Sequence, residues 1–188
     1  MKAIGIVGSP RKTGNTEIVT SHTLKSIEEE DIQTELIPLA GLNVQLCDGC
    51  GACANEETCP IDDDVFPIYQ AIKSADAIIF STPVYYGSAT ALMMAFIDRI
   101  SRISRNLGRI WSGKVGGALV VARRAGKNFT LAQLNFWFQL KGMIVPGSTY
   151  WNVAIGRDLG EVEKDTEGLK TAWNFGKNVA FLVKKLRS

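Results

Sequence analysis

Apolar positions along the chain follow two alternating rhythms. Short, nearly continuous apolar runs are followed by longer stretches in which apolar residues recur every three or four positions, and the exchange repeats from one end to the other. Lys2–Gly8 is the first run, closed by Ser9-Pro10. Asn15–Glu29 follows with Ile18, Val19, His22, Leu24 and Ile27 at helical spacing. Thr34–Leu39 predicts a second strand, and Asp64 can cap a helix over Val65–Ser74. Asp76–Thr82 is the strongest buried-strand signal, ended by Pro83, and Ala89–Ile103 is helical with Leu92, Met93, Phe96, Ile97 and Ile100 on one face. Lys114–Ala122 predicts the fourth strand, Leu131–Gly142 an aromatic-rich helix, and Met143–Val145 a short fifth strand. Glu161–Leu186 predicts a closing helix, with acids early and bases late, as the helix dipole favours.

Strands that are apolar throughout and separated by helices imply a parallel sheet covered on both faces. Five such strands fit an α/β, flavodoxin-like, doubly wound sheet of order 2-1-3-4-5, in which ligands bind where the order reverses, at the carboxyl ends of the first and third strands. No repeat, low-complexity segment or linker interrupts the pattern, so one domain over residues 1–188 is expected, with a cysteine loop over residues 47–59 after the second strand.

Composition narrows the class. Lys and Arg number 21 against 19 Asp and Glu, a balance that argues against nucleic acid or a membrane surface as partner. The apolar run near Met1 is too short for a secretory signal, and nothing approaches the roughly 18–20 apolar residues of a spanning helix. A cytoplasmic location is expected, where thiols stay reduced.

Two loops fall at the expected crevice. GSPRKTGNTE, residues 8–17, fits neither the Walker loop nor the dinucleotide fingerprint, yet it links a strand to a helix start and is rich in hydroxyls and N–H groups. Ser9, Arg11, Thr13, Asn15 and Thr16 suit one terminal phosphate, with a plain capped turn as the alternative. After the third strand, Pro83, Val84, Tyr85, Tyr86 and Gly87 suit a flat aromatic ring, or else simply pack at a helix start.

All four cysteines fall in CDGCGACANEETC, followed by Pro60. Disulfides are disfavoured in a reducing compartment, and zinc knuckles are normally set a dozen or more residues apart. The spacing C-x2-C-x2-C-x5-C-P lies nearer the ferredoxin pattern, so Cys47, Cys50, Cys53 and Cys59 point to one [4Fe–4S] cluster, with zinc or a vestigial loop as alternatives. A metal cluster beside a ring site suggests electron transfer, with a flavin as the ring.

With these segments in hand, the chain resembles the iron–sulfur flavoproteins, a branch of the NADPH-dependent FMN reductase superfamily. The likeness rests on GSPRKTGNTE, the compact cysteine run, STPVYYGSATALMMAFIDR and GRDLGEVEKDTEGLKTAWNFGKNV. It implies FMN on the two crevice loops, a [4Fe–4S] cluster on the cysteines, and a homodimer or homotetramer in which each cluster lies nearest a neighbour's flavin. The chain departs from the family after the fourth strand, where ARRAGKNFT replaces a Gly-rich, Gln- and Glu-containing turn; Ala122 and Arg123, with Arg124, are there expected to border the ring. Electrons are expected from a ferredoxin-like or NAD(P)H donor, bound for a small oxidant. The alternatives are an NAD(P)H-dependent FMN or quinone reductase without a cluster, and a non-catalytic flavin-binding module stiffened by zinc.

Arg99, Arg102, Arg105 and Arg109, with Lys114, Arg123, Arg124 and Lys127, suggest a basic docking surface, a solvated helix face, or ion pairs across subunits with Glu56, Glu57 and Asp62–Asp64. His22 reads as a surface or packing residue, and Phe129, Phe136, Trp137 and Phe138 as core or subunit contacts.

Overall fold

The computed structural model describes residues 1–188 and contains the expected parallel sheet. Its strands are β1 (Lys2–Val7), β2 (Gln33–Pro38), β3 (Ala77–Pro83), β4 (Val115–Ala122) and β5 (Val153–Ile155). They lie in the order β2-β1-β3-β4-β5 with every pairing parallel. The helices are α1 (Asn15–Glu28), α2 (Val65–Ser74), α3 (Ala91–Ile103), α4 (Lys127–Leu140) and α5 (Thr166–Arg187).

Side chains on a strand point alternately to its two faces, and both faces here are apolar. Ile4, Ile6, Ile78, Phe80, Ala118 and Val120 face the layer of α2, α3 and α4. Ala3, Ala77, Ile79, Val115, Leu119 and Val121 face α1 and α5. No helix is long and apolar enough to cross a membrane.

The fifth strand lies elsewhere than the periodicity predicts. Of Met143–Val145, only Ile144 pairs with the sheet, in a single parallel bridge to Val115 at the start of β4. Pro146 follows; lacking an N–H, it cannot continue a ladder. The chain arches over residues 146–152 and rejoins β4 at its other end, where Val153–Ile155 pair with Val120–Ala122. The fourth helix begins at Lys127 rather than Leu131. The predicted closing helix splits into a 3₁₀ turn, Glu161–Lys164, and α5, which starts where Asp165 accepts a bond from the Gly168 N–H at 3.0 Å. The other Asp165 oxygen accepts from Ile155 N–H and ties the edge strand to α5.

Of the aromatics expected as core or subunit contacts, Trp137 and Phe138 are buried in the core, whereas Phe129 and Phe136 are exposed on the surface of the single chain. His22 is half-buried against Trp173, with ring centroids 4.9 Å apart, and burial pulls its pKa below the ordinary histidine value.

The seam between α1 and α5 is unusually close. Thr23 and Ser26 hydroxyls donate across it to the carbonyls of Ala172 and Trp173, at 3.1 and 3.0 Å. Gly176 allows that approach: a Cβ there would collide with the Ser26 hydroxyl and lie 2.6 Å from the Thr23 carbonyl. Gly176→Ala should therefore cost about 1–3 kcal/mol of stability in urea unfolding. Gly147→Ala, where an added Cβ meets nothing within 4 Å, should stay within about 0.5 kcal/mol of the parent. Equal effects at the two positions would contradict the close seam.

Candidate functional site

Because the strands are parallel, all five carboxyl ends lie at one edge, and the strand order reverses between β1 and β3. The two loops at that reversal are bonded to each other. Gly8 N–H donates to Ser81 O at 2.7 Å, and the Thr90 hydroxyl donates to Gly8 O at 2.5 Å. Thr90 also caps α3 by accepting from Met93 N–H.

A cavity of about 180 Å³ opens here. Of the residues expected to hold a ligand, Ser9, Arg11, Asn15, Thr16, Pro83, Val84, Tyr85, Ala122 and Arg123 line it. Ser9 is buried and fixes the loop: its Oγ accepts from Arg11 N–H at 3.1 Å and donates to Arg11 O. No side chain caps the start of α1, so its first-turn N–H groups and positive end serve the cavity. The Arg11 and Arg123 side chains are exposed at the rim. These residues suit an anionic group at the α1 end and a flat apolar group between the loops after β3 and β4.

Three expected residues lie outside the lining. Thr13 is exposed with φ 52°, and its N–H is taken by Glu17. Tyr85 and Ser88 exchange both backbone bonds, at 2.9 and 3.1 Å, which leaves Tyr86 and Gly87 as the tip of a tight turn. Tyr86 projects to solvent from that tip. The Asn15 amide, though at the cavity, braces another loop by donating to Asp158 O at 2.8 Å.

Gly14 and Val121 also line the cavity. Gly156, Arg157 and Leu159 complete the lining and were missed from sequence. They follow β5, so misplacing that strand at Met143–Val145 hid them; the usable signal was GRDLG directly after the short run NVAI. Glu161 shapes this loop by accepting from Arg157 and Asp158 N–H, which holds its carboxyl below the usual range.

The four cysteines line a second cavity, of about 50 Å³, with Arg99, Arg102 and Ile103. Gly49 and Gly51 turn the loop with φ 72° and 79°, a conformation that disfavours other residues, and Cys50 N–H donates to Asp48 Oδ1. No three His, Cys, Asp or Glu side chains are gathered tightly enough to hold one ion.

This cavity is not beside the crevice, as the loop's place after β2 suggested. Thr90, at the start of α3, touches Gly8, whereas Arg99 and Ile103 lie 9 and 13 residues further along, about 14 and 20 Å at the helical rise. The cysteine loop runs down the α2–α3 face. Glu57 pairs with Lys73 at the end of α2, and Asn106 donates to Ala54 O.

Arg99 anchors that loop, and it is buried rather than part of a surface stripe. Its guanidinium grips Asp63 in two bonds of 2.7 and 3.0 Å, donates to Gln45 O at 3.0 Å, and donates to Cys59 Sγ at 3.1 Å. Both partners of the pair are sealed from solvent. Burial alone would raise the Asp63 carboxyl, yet Arg99 and the N–H groups of Gln45 and Val65 hold it below the usual range. Burial likewise disfavours the Arg99 charge, and Asp63 outweighs it. Asp63 also accepts from Val65 N–H, so it rather than Asp64 supplies the side chain at the start of α2.

A buried pair broken on one side leaves an uncompensated charge. Arg99→Leu should therefore lower the unfolding free energy by about 3–5 kcal/mol. Lys177→Ala, which removes an exposed pair with Glu29 and Glu30, should barely move the urea midpoint. A small loss at Arg99 would contradict the anchoring role.

Comparison with known proteins bears on both cavities. Residues 1–158 match the family described as NADPH-dependent FMN reductase. An iron–sulfur flavoprotein of Methanocaldococcus jannaschii is 41% identical over 100% of both chains. Another, from Methanosarcina thermophila, is 33% identical over 100% of this chain and 97% of its own. Among solved structures, a flavodoxin from the domain Archaea superposes with a TM-score of 0.65 at 18% identity, covering 98% of this chain and 99% of that one, a likeness of fold. The chain therefore belongs to the NADPH-dependent FMN reductase family and, within it, to the iron–sulfur flavoproteins, and is a flavin-dependent oxidoreductase.

Proposed function

We propose that the chain is an electron-transfer flavoprotein that exchanges electrons between FMN in the crevice and a [4Fe–4S] cluster on Cys47, Cys50, Cys53 and Cys59. The observation that carries this is the convergence of all four thiols on one cavity separate from the crevice. A zinc site draws four sulfurs to about 2.3 Å from one point. A four-iron core instead spreads its thiolates over separate metals, which suits the compact C-x2-C-x2-C-x5-C run better than two distant zinc knuckles would. The α1 N-terminus, Ser9, Arg11 and Thr16 would hold the FMN phosphate. Pro83, Val84, Tyr85, Ala122 and Arg123 would flank the ring.

The separation along α3 supports assembly as a homodimer or homotetramer in which the thiol cavity of one chain meets the crevice of another. A hydride donor such as NAD(P)H delivers its electrons in pairs and so engages the flavin, whereas a ferredoxin-like protein delivers single electrons and engages the cluster. The acceptor class proposed is a small oxidant.

Anaerobic reduction separates these roles. NADPH should reduce the flavin and then the cluster, or reduced ferredoxin the cluster and then the flavin. In FMN-depleted protein, NADPH should leave the cluster oxidised. One centre filling while the other stays oxidised under both donors would overturn electron exchange. Arg11→Ala should weaken FMN binding roughly 10- to 100-fold, the loss of one charge-assisted bond of about 1.5–3 kcal/mol, as read by quenching of flavin fluorescence. Cys53→Ser should lose iron while FMN affinity holds. Unchanged FMN affinity in Arg11→Ala would contradict the phosphate assignment.

A further inference from the structure

A buried guanidinium bonded to a cysteine sulfur is an expensive feature. Apolar side chains could cover the same cavity without the cost of desolvating an ion pair. Arg99 is 1% exposed and its Nε–H finds no acceptor on the protein, so stability alone gives little account of why a cation sits there. The bond it makes is selective. Among the four cysteines only Cys59 accepts a side-chain hydrogen bond on sulfur; Arg102 lines the same cavity but stays exposed and donates to none of them. The fork cannot swing away, because Asp63 holds it at two points and Gln45 O at a third.

We infer that Arg99 is a positioning residue that raises the reduction potential of the cluster through its bond to Cys59, an inference that rests on assigning a cluster to these cysteines. Reduction adds one electron to a metal centre already made negative by four thiolates. A donor aimed at one of those sulfurs, carried on the positive end of the Arg99–Asp63 pair, stabilises the more negative state. The Arg99 and Asp63 side chains are sealed from solvent, so water screens the donor's end of the interaction little. No bond forms or breaks in this change, and the guanidinium keeps its protons. The effect is one-sided: it falls on the iron that Cys59 holds, so that iron should carry more of the added electron than its neighbours.

The test is the midpoint potential of the cluster, read by electron paramagnetic resonance during titration with dithionite. Arg99→Gln should lower the potential, and Arg99→Lys should fall between it and the parent. Arg102→Gln, which removes an exposed and solvent-screened charge from the same cavity, should lower it clearly less than Arg99→Gln. Arg99→Gln strands the Asp63 carboxylate, so Arg99→Gln with Asp63→Asn is measured beside it and should also titrate below the parent. A check needing no change at Arg99 uses protein grown on guanidino-¹⁵N arginine. The reduced cluster should show a ¹⁵N hyperfine coupling that survives Arg102→Gln. Equal potentials in the parent and Arg99 variants at equal iron content, an equal shift from Arg102→Gln, or no coupling in the labelled protein would each overturn the role given to Arg99. Parent protein that assembles no cluster would instead overturn the assignment on which that role rests.

Discussion

Parallel pairing is the constraint from which the rest of the molecule follows. Parallel strands need a crossover for every connection, so helices must cover both faces of the sheet and every strand must end at one edge. β1 and β3 are neighbours in space but sit on opposite sides of the reversal in winding, and their loops part to leave a crevice. The bonds from Thr90 to Gly8 and from Gly8 to Ser81 fix how far those loops part. The crevice is thus a product of topology, and the sequence supplies only its lining.

α3 then acts as a ruler between two sites. Its first turn is bonded into the crevice through Thr90, and its last turns, through Arg99 and Ile103, wall the cysteine cavity. The cysteine loop is long and has only one short 3₁₀ turn of its own, Ala52–Ala54, so side-chain bonds must order it. Asp63 and Asp64 accept from Gln45 and Asn43 N–H and so close the base of the loop, while Arg99 pins that base to α3. One buried ion pair thereby joins the loop to the sheet layer, and it also reaches a cysteine sulfur.

The strands of the core were legible because burial on both faces writes itself as a continuous apolar run, as in Asp76–Thr82 and Lys114–Ala122. β5 was not, because a three-residue edge strand containing no long apolar run competes poorly with the more apolar Met143–Val145, and only Pro146 hints that the latter cannot pair further. Most of the crevice lining was legible as loop chemistry after β1 and β3. Thr13, Tyr86 and Gly87 fall outside the lining because backbone turns, which residue type alone does not fix, aim them away. Arg99 was misread as one of four arginines on a basic stripe. Its spacing from Phe96 and Ile103 places it on the apolar face of α3, and that was the available sign that this charge is buried. Asp62–Asp64 were legible as partners for these arginines, but across subunits; Asp63 pairs with Arg99 within the chain, a contact that only the packing of the loop on α3 reveals.

The central claim is that one flavodoxin-like chain carries two redox centres, held by separate sets of residues. Iron, acid-labile sulfide, zinc and flavin analysis of protein purified without oxygen tests it most directly. About four irons, four sulfides and one FMN per chain, with zinc near zero, are the predicted result. FMN accompanied by zinc, or by no metal, would contradict it and leave a flavin reductase whose cysteine loop serves another purpose.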